Sequence, residues 1–197
     1  CWFISGPPTV TFSINAHRLQ EAEFISSPNC SDRPPGTAID LLIIHNISLP
    51  PGRFGGGYVD QLFCNTLDCS AHPYFRQLEQ LRVSAHLLID RNGRVRQYVS
   101  FDKQAWHAGE SAHAGRQRCN EFSIGIELEG TDELEFTDSQ YGSLSDICTL
   151  LMATYPGIQR DRIVGHSDVA PGRKTDPGPC FDWQRLLTGL TDPQSTD

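Results

Sequence analysis

Residues Ile39-Asp40-Leu41-Leu42-Ile43-Ile44-His45 decide how this chain folds. Apart from Asp40 the run up to His45 is apolar, the pattern of a strand buried on both faces. Such a strand belongs inside a sheet covered on both sides. The run stops at a histidine, and Asn46 and then Ser48-Leu49-Pro50-Pro51-Gly52 follow. Open α/β sheets collect their chemistry where strands end, which makes His45 the first candidate functional residue.

A second stretch far downstream completes the pattern. Arg162-Ile163-Val164 reads as a short strand ending at Gly165. It leads into His166-Ser167-Asp168-Val169-Ala170-Pro171-Gly172-Arg173-Lys174-Thr175-Asp176-Pro177-Gly178-Pro179. That segment is too rich in Pro and Gly for a helix or a ladder, so a loop is expected. Along it lie an imidazole at 166, an ammonium at 174 and a carboxylate at 176. Histidine and aspartate both ligate zinc, and a lysine beside them can stabilise an anion. Pro177 biases Asp176 to extended backbone, which limits where its carboxylate can point. Alone, the loop also reads as a solvated surface segment; His45 favours the metal. His45, His166 and Asp176 leave a fourth zinc position open, as a catalytic site requires.

The 197 residues suffice for one domain with a core. Residues 1–38 are expected to be an arm packed on that domain, 39–190 the domain itself and 191–197 a tail. Sixteen Lys and Arg against 24 Asp and Glu give a net charge of −8. That argues against nucleic-acid or anionic-membrane partners. No apolar run approaches membrane-spanning length, and no stretch reads as a signal peptide. The seven cysteines show no C-x-x-C pair. Reduced thiols in the cytoplasm explain them most simply, although an oxidising compartment would let Cys64 and Cys69 bridge. The expectation is a cytoplasmic monomer.

Between the two strand ends the chain alternates strand and helix signals. Gly55-Gly56-Gly57 precedes a short helix with Tyr58, Val59, Leu62 and Phe63 on one face. Residues 64–81 have no clean period and are placed as the frame of a groove. Arg82–Asp90 and Arg94–Val99 flank Arg91-Asn92-Gly93 and read as a hairpin reversed by Asn-Gly. In the loop Trp106-His107-Ala108-Gly109, Trp106 reads equally as packing or as a face for sugar stacking, and His107 reads as a hydrogen-bonding residue. Ser123-Ile124-Gly125-Ile126-Glu127-Leu128-Glu129 alternates strictly. Its polar set is either a wet face or the carrier of a general base, Glu127; spacing alone favours the wet face. Thr137 with Gln140 forms a capping box for a packing helix that ends at Pro156-Gly157. The fold class is therefore α/β: a single domain with a mixed central sheet flanked by helices.

Four runs carry a resemblance. They are Ile44-His45-Asn46-Ile47-Ser48-Leu49-Pro50-Pro51-Gly52, Phe101-Asp102-Lys103 with Trp106-His107-Ala108-Gly109, Ile124–Gly130, and Ala170–Pro179. In order, over about His17 to Trp183, they resemble the bacterial anhydro-N-acetylmuramoyl-L-alanine amidases of cell-wall recycling. These belong to the zinc amidase superfamily that includes phage amidases and peptidoglycan recognition proteins. The resemblance implies Zn2+ on His45, His166 and Asp176, with Glu127 as catalytic carboxylate and Lys174 as oxyanion stabiliser. It also implies an anhydro-muropeptide substrate cut between the lactyl group and L-alanine. Asn46, Arg82, Trp106 and Arg118 are the candidate substrate contacts, the arginines because they can grip carboxylates with paired hydrogen bonds. The chain departs from the pattern at Cys64 and Cys69 and in its longer start. Two rivals are a non-catalytic peptidoglycan receptor, which should lack part of the metal constellation, and a periplasmic amidase acting on polymeric wall. A cysteine hydrolase using Cys180 is more remote, since nothing in the sequence pairs that thiol with a base.

Overall fold

A computed structural model describes residues 10–191. Cys1, the rest of residues 1–9 and the expected tail after Thr191 lie outside the described residues. Four short strands come first: β1 Ile14–Asn15, β2 Arg18–Leu19, β3 Glu23–Phe24 and β4 Cys30–Asp32. Then follow β5 Leu41–Ile47, α1 Tyr58–Phe63, β6 Leu87–Ile89, β7 Val95–Gln97 and β8 Lys103–Ala105. The remainder is β9 Ala112–His113, β10 Arg116–Gln117, β11 Ser123–Glu129, α2 Asp138–Thr154, β12 Ile163–Gly165, α3 His166–Val169 and α4 Trp183–Gly189. Six strands form the main sheet in the order β12-β5-β11-β6-β7-β3. β12, β5, β11 and β6 are mutually parallel, whereas β7 runs antiparallel to β6. The sheet is thus mixed, with helices on both faces.

The central strands are apolar because both their faces are covered. On one side Leu42 and Ile44 of β5 and Ile126 of β11 pack against Leu144 and Leu151 of α2 and Leu186 of α4. Each such side chain, fully buried, contributes about 1.5–3 kcal/mol. On the other side Leu41 and Ile43 meet Ala108, Cys119, Phe122 and Val169. The capping box at the start of α2 is present, and its Gln140 does a second job. The Gln140 carboxamide donates to the carbonyls of Glu129 (2.9 Å) and Ile89 (3.3 Å), tying the helix to the ends of β11 and β6. The segment before residue 39 is stitched into the domain: β3 is an edge strand of the main sheet and β4 pairs with β8. Arg33 locks it there, donating to the carbonyls of Phe101, Asn120, Glu121 and Ser123 at 2.8–3.2 Å. Burial lowers its pKa to about 10, still cationic at neutral pH. Among the described residues no helix is long and apolar enough to cross a membrane.

Three local expectations are corrected. β11 has no wet face: all seven residues are buried, because the strand lies between β5 and β6 and His107 packs over Gly125. The Gly165 strand begins at Ile163, not Arg162, whose guanidinium pairs with Asp40 at 3.0 Å. His166–Val169 is one helical turn rather than loop, since the first breaker in that segment, Pro171, comes after it and Asp168 accepts the Gly165 N–H at 2.7 Å.

The hairpin β6–β7 forms, but three residues rather than two reverse it. Asp90 donates to the Arg94 carbonyl and Gly93 to the Asp90 carbonyl, each at 2.9 Å. The Asp90 carboxylate accepts the N–H groups of Asn92 and Arg94 (2.8 and 3.0 Å), which stabilises the wider turn. Gly93 sits at φ +80°, and a Cβ there would lie 2.6 Å from the Ser139 carbonyl oxygen. Gly93→Ala is therefore expected to destabilise the protein by more than about 1 kcal/mol. Its denaturant midpoint should fall with an unchanged m-value; an unaltered midpoint would show that the turn tolerates a side chain.

Candidate metal centre

The register of β5 on β11 sets the site. Ile44 lies opposite Ile126 and His45 opposite Glu127, so two functional side chains stand on adjacent strands at the same height. β12 pairs with the other edge of β5, Gly165 opposite Ile44, and the next residue, His166, starts α3 beside His45. The chain then loops out and returns, and the Ser167 N–H donates to the Asp176 carbonyl at 3.0 Å. That bond brings the Asp176 carboxylate back over the two imidazoles.

The three side chains converge. His45 Nδ1 is 3.0 Å from His166 Nδ1 and 3.0 Å from Asp176 Oδ2, and His166 Nδ1 is 3.1 Å from the same oxygen. One ligand atom from each residue lies within 4.8 Å of the others. The far nitrogens are engaged elsewhere: His166 Nε2 with the Ala108 carbonyl at 3.1 Å, His45 Nε2 with His107 Nδ1 at 2.9 Å. Both imidazoles are thus free to direct an Nδ1 lone pair at one point. Burial lowers the His45 pKa and so favours the neutral, ligating form. Burial pushes Asp176 up, but the two imidazoles standing against it, His166 and His45, outweigh that and hold the carboxyl below its usual range. Two imidazoles and one carboxylate at this spacing fit a divalent metal ion.

Glu127 stands next to this cluster, with Oε1 4.0 Å from His45 Nδ1. Its Oε2 is buried and has no hydrogen-bond partner. Burial raises the Glu127 pKa well above the usual carboxylate range; the charge of Asp176 adds to this and that of Lys174 opposes it. Glu129 is differently placed: it accepts the Gly55 N–H at 2.6 Å and the Arg91 N–H at 3.2 Å, an anchor for two loops.

A cleft of about 560 Å³ opens over the cluster. His45, His166, Asp176, Glu127 and the exposed Lys174 line it together with Asn46 and Trp106. Tyr74, Leu78 and Leu81, from the segment expected to frame a groove, add an apolar wall. Asn46 is also tied down, donating to Asp132 Oδ1 (2.7 Å) and the Pro177 carbonyl (3.0 Å). The Trp106 indole N–H donates to Ser31 at 3.1 Å. Arg82 and Arg118 are not among the lining residues. Arg82 turns back to the carbonyls of Glu79 and Leu81, and Arg118 pairs with Glu121 at 2.5 Å.

Two contributors were missed in the sequence. Arg173 lines the cleft and clamps the carbonyls of Ala108 (2.6 Å) and Glu110 (2.7 Å). Asp132 links the loops on either side of the His45–His166–Asp176 cluster, holding Asn46 on one side and Thr175 at 2.5 Å on the other. Arg173 lay inside a quoted motif, next to Lys174. Asp132 carried no signal at all, because its partners are about 40 and 90 residues away in sequence.

Residues 35–179 match the family described as N-acetylmuramoyl-L-alanine amidase. The chain is 55% identical over 172 residues to the 1,6-anhydro-N-acetylmuramyl-L-alanine amidase AmpD of Haemophilus influenzae, covering 87% of this chain and 94% of that one. To AmpD of Escherichia coli it is 56% identical over 168 residues, 85% of this chain and 91% of that one. Among solved structures, a selenomethionine derivative of AmpD superposes with a TM-score of 0.89 at 52% identity, covering 91% and 99% of the two chains. The amidase AmiD of E. coli was solved with the substrate anhydro-N-acetylmuramic acid-L-Ala-D-gamma-Glu-L-Lys. It superposes with a TM-score of 0.57 at 31% identity, covering 80% of this chain and 60% of that one.

The ligand cluster joins residues from separate elements that are each held by backbone bonds, so losing one ligand should cost metal rather than fold. Asp176→Ala is expected to keep the far-UV spectrum of the parent while losing its bound divalent ion. Full metal occupancy in that variant would remove Asp176 from the ligand set.

Proposed function

The chain belongs to the N-acetylmuramoyl-L-alanine amidase family, and on that premise we propose a specific reaction. The protein is a zinc-dependent amidase that hydrolyses the bond between the lactyl group of an anhydro-muramoyl sugar and L-alanine. The observation that carries this reading is the meeting of His45, His166 and Asp176, with Glu127 4.0 Å from His45, in a cleft open to a substrate. The names of the relatives, 54–56% identical, supply the substrate class.

Amide hydrolysis is slow because water is a weak nucleophile and the oxyanion that forms is unstable. Zinc held by His45, His166 and Asp176 would supply Lewis acidity, making water more acidic and the carbonyl more electrophilic. Glu127 takes a proton from the attacking water and returns it to the alanine nitrogen as the C–N bond breaks. Burial raises its pKa, which makes its carboxylate a stronger proton acceptor. Lys174, on the cleft wall, offers a positive charge to the oxyanion. Burial of His45 and His166 keeps solvent from their ring faces. The apolar wall at Tyr74, Leu78 and Leu81 and the polar wall at Lys174 and Asp176 give the cleft two chemically different sides. That asymmetry suits a ligand that joins a sugar to a charged peptide.

A non-catalytic receptor on this fold would not need the full set of ligands, base and lysine, and all are present here. The setting is read as the reducing cytosol. The six described cysteines are free, and the acidic net charge offers no general attraction to an anionic wall polymer. The enzyme is read as a monomer there.

Glu127→Gln keeps the shape but cannot accept a proton. It should lower kcat by about 10²–10⁴-fold with zinc retained. Glu129→Gln should change kcat far less, because its oxygen can still accept a backbone N–H. A larger loss in the Glu129 variant would reverse the assignment of the two carboxylates. On substrates, soluble anhydro-muropeptides should be cleaved readily and intact sacculi poorly. Equal rates at equal bond concentration would favour an amidase that trims polymeric wall.

A further inference from the structure

Behind the metal ligands lies a dipeptide that the reaction above does not use. His107 Nδ1 is 2.9 Å from His45 Nε2, and the carbonyl of the next residue, Ala108, is 3.1 Å from His166 Nε2. Each of the two imidazoles therefore meets one residue of the same dipeptide on the side away from the cluster. The dipeptide is itself fixed. The N–H groups of His107 and Ala108 donate to one oxygen, Asn120 Oδ1, at 3.2 and 2.8 Å. Arg173 donates to the Ala108 carbonyl at 2.6 Å. The His107 ring lies over β11 at the one position with no side chain: a Cβ on Gly125 would come within 2.4 Å of His107 Nδ1. Its other nitrogen, Nε2, is 3.2 Å from Ser123 Oγ.

The chemistry of these contacts is directional. A carbonyl can only accept, so the Ala108 oxygen requires the proton of His166 on Nε2 and leaves Nδ1 with a lone pair. His45 faces an imidazole instead, which can accept or donate. With the His107 proton on Nε2, donated to Ser123, His107 Nδ1 accepts from His45 Nε2–H and leaves the His45 Nδ1 lone pair facing Asp176 and His166. Outer partners of this kind orient a metal ligand and fix its tautomer, and losing one typically costs 10–100-fold in metal affinity.

We propose that His107 is a positioning residue for the metal ligand His45: seated on Gly125 and clamped through Asn120, it holds His45 in the tautomer that presents Nδ1, as the Ala108 carbonyl does for His166. This rests on the reading of His45, His166 and Asp176 as a zinc site. It assigns His107 no contact with substrate.

The test compares two variants of similar polarity that differ in where the accepting oxygen falls. In His107→Asn the side-chain oxygen occupies the position of Nδ1; in His107→Gln it reaches that of Nε2. Zinc affinity is measured by competition with a chromophoric chelator. The His45 tautomer is read from long-range ¹H–¹⁵N correlations in the zinc-loaded protein, with thermal unfolding as a check on folding. His107→Asn is expected to bind zinc within about threefold of the parent and to keep the His45 proton on Nε2. His107→Gln should lose about 10–100-fold in affinity. If both variants bind as the parent does, or both weaken alike, the placement of the acceptor is irrelevant and the proposal falls. A parent protein that fails to bind zinc in the same titration would instead overturn the metal site, and this proposal with it.

Discussion

The parallel pairing of β5 with β11 is the constraint on which the rest depends. Seven consecutive residues pair, from Leu41 with Ser123 to Ile47 with Glu129, and this register puts His45 and Glu127 side by side. Because side chains alternate along a strand, a slip of one residue would turn Glu127 into the core and Leu128 towards the ligands. Apolar packing prevents the slip: Ile44, Ile124, Ile126 and Leu128 all face α2 and α4, and none can turn outward without exposing the core. The geometry of the site is in this sense a by-product of core packing. Gln140 adds a polar lock by holding the β11 and β6 carbonyls at the ends nearest the site.

Burial then tunes what the register has assembled. The same desolvation that lowers His45 raises Glu127, so one dry environment favours a neutral imidazole at His45 and a reluctant carboxylate. Asp176 escapes that trend because two imidazoles stand against its carboxylate. Lys174 stays on the exposed rim of the cleft. Deeper in, His86 is held neutral, its pKa pushed down to about 3 by burial and by the nearby Arg33 charge. It gives His107 a second uncharged aromatic neighbour, with ring centroids 5.8 Å apart.

Much of this was legible in the sequence, for physical reasons that also mark its limits. A strand buried on both faces must be apolar, so the histidine that ended the Leu41–Ile44 run stood out, as did the one after Val164. The capping box at Thr137 and the short helix at Tyr58 were readable because their signals are local. Strand alternation could not choose between Glu127 and Glu129, which share a face; only the register with His45 and the bonds from Gly55 and Arg91 to Glu129 separate them. The wet face expected of β11 failed because alternation reports polarity, not what covers it: here Gly125 makes room for the His107 ring. Arginine chemistry suggested Arg82 and Arg118 as substrate contacts, but position is a tertiary property, and their guanidiniums bond to Glu79, Leu81 and Glu121 instead. Asp132 and the Asn120 clamp are purely long-range and left no trace in any local pattern.

The central claim is that β5, β12 and one returning loop gather two imidazoles and a carboxylate around a metal. X-ray absorption at the zinc edge of the loaded protein tests it most directly. The account predicts a first shell of nitrogen and oxygen only, with the outer-shell scattering of two imidazole rings. A sulfur scatterer at about 2.3 Å, or scattering from fewer than two imidazoles, would contradict it.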